Sequence, residues 1–251
     1  MRQYIVFDLE FNQASPSSQP SKEIKSGCPF EIIQIGAVKL DADLNTVNSF
    51  NRYVKPTIYP EVNPYITELT GITTDQVLFE KTFPLVFNDY MSFIGEGDTV
   101  LCIWGMADIK ELFRNALYHQ LDKEILPTMF IDLQPYVSAF FGFPKTKQFG
   151  LQSAVESLKI PMPFSFHSAL YDAYYTAEIF KKINNPAIHP KRYNPNHVRC
   201  RRSKSKINNL VDVEKLLQQF EKMFARALTN EEKKMIILAY KMGRTRQFLK
   251  E

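Results

Sequence analysis

The chain has 251 residues, 45% of them apolar and 23% charged, the composition of a folded chain with enough length for one or two cored domains. It contains no run of 18 apolar residues, which excludes a spanning helix. Its three cysteines, Cys28, Cys102 and Cys200, are too few and too scattered for a disulfide framework or a Cys-rich zinc site. The net charge of +4 conceals an asymmetry: residues 1–185 hold 15 Lys and Arg against 21 Asp and Glu, a net of −6, while residues 186–251 hold 16 against 6, a net of +10. The opening MRQYIVFDLE meets charge too early for a secretory signal, so a reducing cytoplasm is the expected compartment.

In chain order, Tyr4 to Phe11 is short, apolar and aromatic and predicts a buried strand. Residues 13–30 are rich in Ser, Pro and Lys and predict a loop. Strands are expected over 32–40 and 47–54, paired as a meander. A short helix over 65–69 should stop at Gly71. Phe83, Val86, Phe87, Tyr90 and Ile94 recur at helical spacing, so 82–94 is a helix. A buried strand over 99–104, a helix over 108–118 and a strand over 128–131 follow. Further helices are expected over 133–141, 150–158 and 168–184. Three meandering strands followed by alternating helices and strands predict an α/β fold with a mixed sheet.

Residues 186–206 break this pattern. They carry three prolines, seven Lys and Arg and no acid, and predict a basic linker. Beyond it, residues 207–251 predict a small helical extension. It comprises an amphipathic helix over 211–228, a capping box in Thr229-Asn-Glu-Glu232 and a last helix ending at Gly243.

Three places carry chemistry. Asp8 and Glu10 lie two apart on a strand, so they face the same side of a segment otherwise built from Ile, Val, Phe and Leu. Two buried like charges are unfavourable without a cation between them; the ordinary alternative is that the strand ends early and both are solvated. Asp108 follows a buried strand in Trp104-Gly-Met-Ala-Asp, at the strand end where α/β proteins place active sites. Its ordinary reading is a helix cap. In His167-Ser-Ala-Leu-Tyr-Asp172, Ser168 is a candidate N-cap, with His167 just outside the helix and Asp172 one turn in. Four carboxylates without cysteine offer hard oxygen ligands suited to Mg²⁺ or Mn²⁺, and such ions serve phosphoryl chemistry.

These motifs in this order resemble the DEDDh 3′–5′ exonucleases, DnaQ-like enzymes with a ribonuclease-H-like fold. FDLEF supplies Asp8 and Glu10, WGMAD supplies Asp108, and HSALYDA supplies His167 and Asp172. EIIQIG at 31–36 and LTGI at 69–72 match ancillary pieces, and the insertion at 13–30 with NPYITELTGIT is similar to the Eri/KapD-like branch. The resemblance covers residues 4–184. It implies a ribonuclease-H-like mixed sheet flanked by helices over 1–185, and 3′–5′ hydrolysis of single-stranded ends, RNA favoured over DNA. It also implies two Mg²⁺ or Mn²⁺ ions held by Asp8, Glu10, Asp108 and Asp172, with His167 as general base. Histidine titrates nearest the working pH, which suits that role. Leu9, Phe11, Asn12, Leu69 and Thr70 stand at positions that hold the terminal nucleotide, core packing being the alternative for Leu9 and Phe11.

Two matters lie outside the resemblance. The basic stretch, with Lys191, Arg192, Arg199, Arg201, Arg202, Lys204 and Lys206, is expected to meet phosphates. A regulatory or protein-interaction role that keeps the exonuclease fold is the alternative function, against which the intact set of five site residues argues.

Overall fold

The computed structural model describes residues 2–15, 27–144, 148–195 and 213–244. They fall in two compact units, residues 1–196 and 197–251.

The described residues of the first unit build a six-stranded sheet in the order β3-β2-β1-β4-β5-β6. The strands are β1 (Arg2–Asn12), β2 (Glu31–Leu40), β3 (Thr46–Tyr53), β4 (Asp98–Ile103), β5 (Met129–Asp132) and β6 (Lys191–Arg192). β1 runs antiparallel to β2 and parallel to β4, so the sheet is mixed, as expected. β1 is central because its side chains are apolar on both faces over its first half. Ile5, Phe7 and Leu9 join one core cluster with α3 (Phe83–Ile94) and α4 (Ala107–Tyr118). Val6, with Tyr4 at its edge, joins a second cluster with α5 (Gln134–Phe140), α6 (Leu151–Ser157) and α7 (Ala169–Ile183). A third, smaller cluster tucks α1 (Pro64–Thr70) and α2 (Thr74–Val77) against Ile33. The helix α2 was not expected; a reciprocal capping box between Thr73 and Gln76 stabilises it.

The expected linker over 186–206 is corrected at its start. Lys191–Arg192 pairs antiparallel with Met129–Phe130 as an edge strand, and the Tyr193 amide donates to the Thr128 carbonyl at 2.7 Å. The Tyr193 ring packs 4.9 Å from Phe113 and 6.1 Å from Phe130. An aromatic anchor and two strand residues thus carry the first unit past residue 185. Arg199, Arg201, Arg202, Lys204 and Lys206 lie outside the described residues, as do positions 16–26 of the expected early loop.

In the second unit, α8 (Val213–Phe224) ends where Ala225 turns left-handed at φ 53°, short of the expected 228. The capping box forms: the Glu232 amide donates to Thr229 Oγ1 at 3.3 Å, and the Thr229 amide to Glu232 Oε2 at 2.8 Å. The helix that follows, α9 (Asn230–Arg244), runs through Gly243 rather than stopping there. Among the described residues no helix is long and apolar enough to cross a membrane.

Candidate active site

Strand alternation places Asp8 and Glu10 on the same face of β1 as Tyr4 and Val6, the face covered by α7. That face is apolar for half the strand and acidic at its C-terminal end. α7 is brought onto the acidic end by two residues of β2. Gly36 is the register partner of Asp8, and a methyl group there would collide with the backbone of Ala169 and Leu170. Only a residue without a side chain lets the helix start so close to the strand. Gln34 then caps the helix: its Oε1 accepts from the Ala169 amide at 3.1 Å, while its own amide donates to Asn51 at 2.9 Å. Ser168 stands at the N-cap position as expected, but its side chain makes no capping bond.

Asp172, in the first turn of α7, accepts from the His167 backbone amide at 3.1 Å through Oδ2. Its Oδ1 is buried and has no hydrogen-bond partner. His167 sits at φ 65°, in the left-handed region that histidine tolerates better than most residues, and its side chain is exposed beside the site. Asp8, Glu10 and Asp172 each present an oxygen within 4.8 Å of the other two.

Asp108, in the first turn of α4, is buried outside this triad. The Leu9 backbone amide is close enough to both Asp8 and Asp108 to favour the ionised form of each. Asp132 was not singled out from the sequence. Its Oδ1 accepts from the Gly105 amide at 2.9 Å and from the Gln134 amide at 3.2 Å. Gly105 adopts φ 86°, a left-handed turn open to glycine, and this carboxylate pins the turn that delivers Asp108. Its charge is near enough to hinder ionisation of Asp108.

The electrostatics are those of crowded acids. Burial, then the charges of Asp108, Asp172 and Glu10, push the Asp8 carboxyl well above the usual range. Burial, then Asp172 and Asp108, push Glu10 up to about 8. Burial raises Asp172 to about 6 against the opposing pull of the His167 amide and ring. Burial raises Asp108 as well. Four acids whose ionisation is opposed by burial, one with an orphaned buried oxygen, fit a hard divalent cation.

The five candidates for nucleotide contact are placed differently from one another. Leu69 is 41% exposed at the end of α1. Phe11 is half-buried 6.3 Å from Phe30, past a bulge in β1. Leu9 points into the core. The Thr70 hydroxyl donates to the Ile66 carbonyl at 2.8 Å and accepts from the Ile72 amide at 3.1 Å. Asn12 requires correction: its side chain is fully buried and engaged by the carbonyls of Tyr59 and Glu61 and the amide of Asn63, so it organises the 59–63 loop. Glu31 does similar work, accepting from the amides of Thr57, Ile58 and Tyr59.

Residues 5–180 match the family model RNase_T, described as an exonuclease. The chain belongs to this exonuclease family. The candidates Asp8, Glu10, Asp108, His167 and Asp172 stand in the order of the DEDDh pattern. It is 34% identical over 182 residues to the PolC-type DNA polymerase III of Clostridium perfringens, a match covering 71% of this chain and 11% of that one. The chain therefore spans about a tenth of the polymerases it matches. It is 26% identical over 179 residues to the probable 3′-5′ exonuclease KapD of Bacillus subtilis, covering 71% of this chain and 83% of that one. Among solved structures, the nuclease domain of 3′hExo, a DEDDh family member bound to rAMP, superposes with a TM-score of 0.63 at 23% identity, covering 76% of this chain and 97% of that one. A 3′-exonuclease that recognises the histone mRNA stem-loop gives 0.60 at 21% identity, covering 72% and 63%. These two structures share the fold.

Proposed function

We propose that the protein is a 3′–5′ exonuclease that hydrolyses single-stranded ends, RNA ahead of DNA, with two Mg²⁺ or Mn²⁺ ions and His167 as general base. The observation that carries this reading is the triad of Asp8, Glu10 and Asp172, whose oxygens converge within 4.8 Å while Asp172 Oδ1 is left without a partner.

Asp8, central among the acids, would be shared between two ions. Glu10 and Asp172 would complete the one beside His167, and Asp108 the other. When bound, such ions acidify the attacking water and offset charge developing on the phosphate and leaving oxygen. His167 is free to swing an exposed imidazole over the triad and take the water's proton, while its backbone remains fixed to Asp172. Leu69, 41% exposed, and Phe11, half-buried, would touch the terminal nucleotide, with Leu9 supporting them from the core.

RNA is favoured by the two structures above, one bound to rAMP and the other recognising a histone mRNA stem-loop. The polymerase relatives make DNA the competing substrate. Incubation of the full chain with end-labelled single-stranded RNA and DNA and Mn²⁺ decides it. A ladder that shortens from the 3′ end of RNA, and is lost with chelator, is expected. Cleavage of a circular strand would instead mark an endonuclease and sink the reading.

The basic stretch extends the proposal to phosphate contacts. Lys191 and Arg192 are exposed at the sheet edge. If about three of the seven basic side chains meet phosphates, replacing Arg199, Arg201, Arg202, Lys204 and Lys206 by Gln should lower the log–log salt slope of single-strand binding by up to about 2. An unchanged slope removes the stretch from the substrate path.

A further inference from the structure

We infer that Phe164 and Tyr171 form a stacking platform for an unpaired base of the substrate strand, upstream of the nucleotide being removed. The inference rests on the single-strand reading above and assigns it a contact that the acidic site cannot supply.

The two rings lie face to face, 4.4 Å between centroids and 3° from parallel. Tyr171 is half-buried on α7, so one face of Phe164 is covered; the residue is nonetheless 40% exposed. The segment carrying it is rigidly held. The Tyr175 hydroxyl accepts from the Phe164 amide at 2.9 Å and donates to the Phe164 carbonyl at 2.6 Å. Phe166 stacks on the Tyr175 ring at 4.7 Å, and Tyr174 meets Phe164 edge-on at 5.4 Å. A partly exposed ring on a segment fixed by these contacts does not collapse into the core and loses little freedom on binding.

Its position ties it to the chemistry. Tyr171 immediately precedes Asp172, in the first turn of the helix that completes the acidic triad. Phe164 precedes His167 by three residues, and the backbone between them is bounded by the Tyr175 bonds at one end and the Asp172 bond at the other. The neighbouring Met162, Pro163 and Ser165 are exposed, leaving an open surface around the ring. A strand whose terminal phosphate sits on the acids meets net negative charge over residues 1–185, so grip from phosphates is weak there. Base stacking is insensitive to that charge and to sequence, since every base has a π-face.

The test uses steady-state kinetics of the full-length chain with two probes. One is a single-stranded oligonucleotide; the other is a nitrophenyl ester of a mononucleotide, which has no upstream base. Phe164→Leu keeps apolar bulk and removes the ring. It should raise KM for the oligonucleotide about 5- to 150-fold, with kcat and ester hydrolysis unchanged. Phe164→Trp should restore the wild-type KM. With the wild-type protein, an abasic residue at one upstream position should reproduce the KM of the Leu variant. Equal KM values for wild type and Phe164→Leu on the oligonucleotide overturn the platform while leaving the exonuclease reading intact. Parallel loss on the ester also overturns it, because that marks a packing role. A wild-type chain inactive on every single strand overturns the exonuclease reading, and the platform with it.

Discussion

Carboxylates withdrawn from solvent, wholly or in part, occur in two settings, and they are treated in opposite ways. Glu31, at the start of β2, receives three backbone amides from residues 57–59. Glu111, one turn after Asp108 on α4, holds Arg114 at 2.6 and 2.7 Å. Both acids are saturated from within the chain, as buried charges must be if they are to be structural. Across the sheet, Asp8, Glu10 and Asp172 face one another, and Asp172 Oδ1 has no donor. The same fold that supplies three amides to Glu31 brings acids together at Asp8. That contrast separates an acid that builds a loop from acids arranged for a cation.

The largest expected effects invert between the two settings. Asp8→Asn should reduce nuclease turnover to background and, by relieving repulsion, raise the melting temperature of the metal-free protein. Glu31→Gln should do the reverse: a loss of about 1–3 kcal/mol of stability, because amides are left facing a poorer acceptor, with turnover per folded molecule retained. Thermal melts paired with activity measurements on each variant check both. Stabilisation by Glu31→Gln, or destabilisation by Asp8→Asn in chelator, would break the comparison.

His167→Ala should come next, lowering kcat by about 10²–10⁴ if its imidazole is the base. Stabilisation of the fold by added Mn²⁺ should survive, since the triad does not include this ring. A kcat within a few-fold of wild type would remove His167 from that role. Asp132 tests whether a carboxylate behind the site acts through geometry. Asp132→Ala frees the Gly105 amide and should cost about 10- to 100-fold in turnover, with a higher Mn²⁺ concentration for half-activation. Asp132→Asn keeps an acceptor and should recover most of both. Equal losses in the two variants would point to the charge rather than the hydrogen bond.

Much of this site is legible in one dimension because carboxylates interrupt strongly patterned apolar segments. Asp8 and Glu10 stand out by period-2 alternation in a strand, and Asp172 by its place among the buried residues of a helix that include Ala169, Ala173, Ala177, Ile179 and Phe180. What escapes is whatever depends on a distant backbone partner. Asp132 reads as an ordinary acid at the end of a short strand, since the amide it holds lies 27 residues earlier. Asn12 adjoins the first motif, and nothing local shows that residues 59–63 enclose it. In residues 186–206 the prolines and the charge point to a linker and conceal the Tyr193 anchor. Gly36 illustrates the middle case: its motif is visible, but its reason, the close start of α7, is three-dimensional.

The titration of these acids is the most direct measure of the difference between the two kinds of acid. In the unfolded chain carboxylates titrate near 4. In the folded metal-free protein Glu10 titrates near 8 and Asp172 near 6, with Asp8 also raised, because burial and mutual repulsion favour the protonated forms. Between these limits the folded state binds more protons than the unfolded state, so stability must fall as pH rises. The contribution is fully present below about pH 4 and is lost progressively up to about pH 8. In chelator, the melting temperature should therefore decline across this window, at about 2–4 °C per kcal/mol. The decline should be shallower in Glu10→Gln, and that difference isolates the site from acids elsewhere in the chain. A divalent ion binds the ionised forms and should flatten or reverse the slope. Slopes that coincide for wild type and Glu10→Gln in chelator would mean that the acids are not in repulsive contact, and the distinction from Glu31 would fail with them.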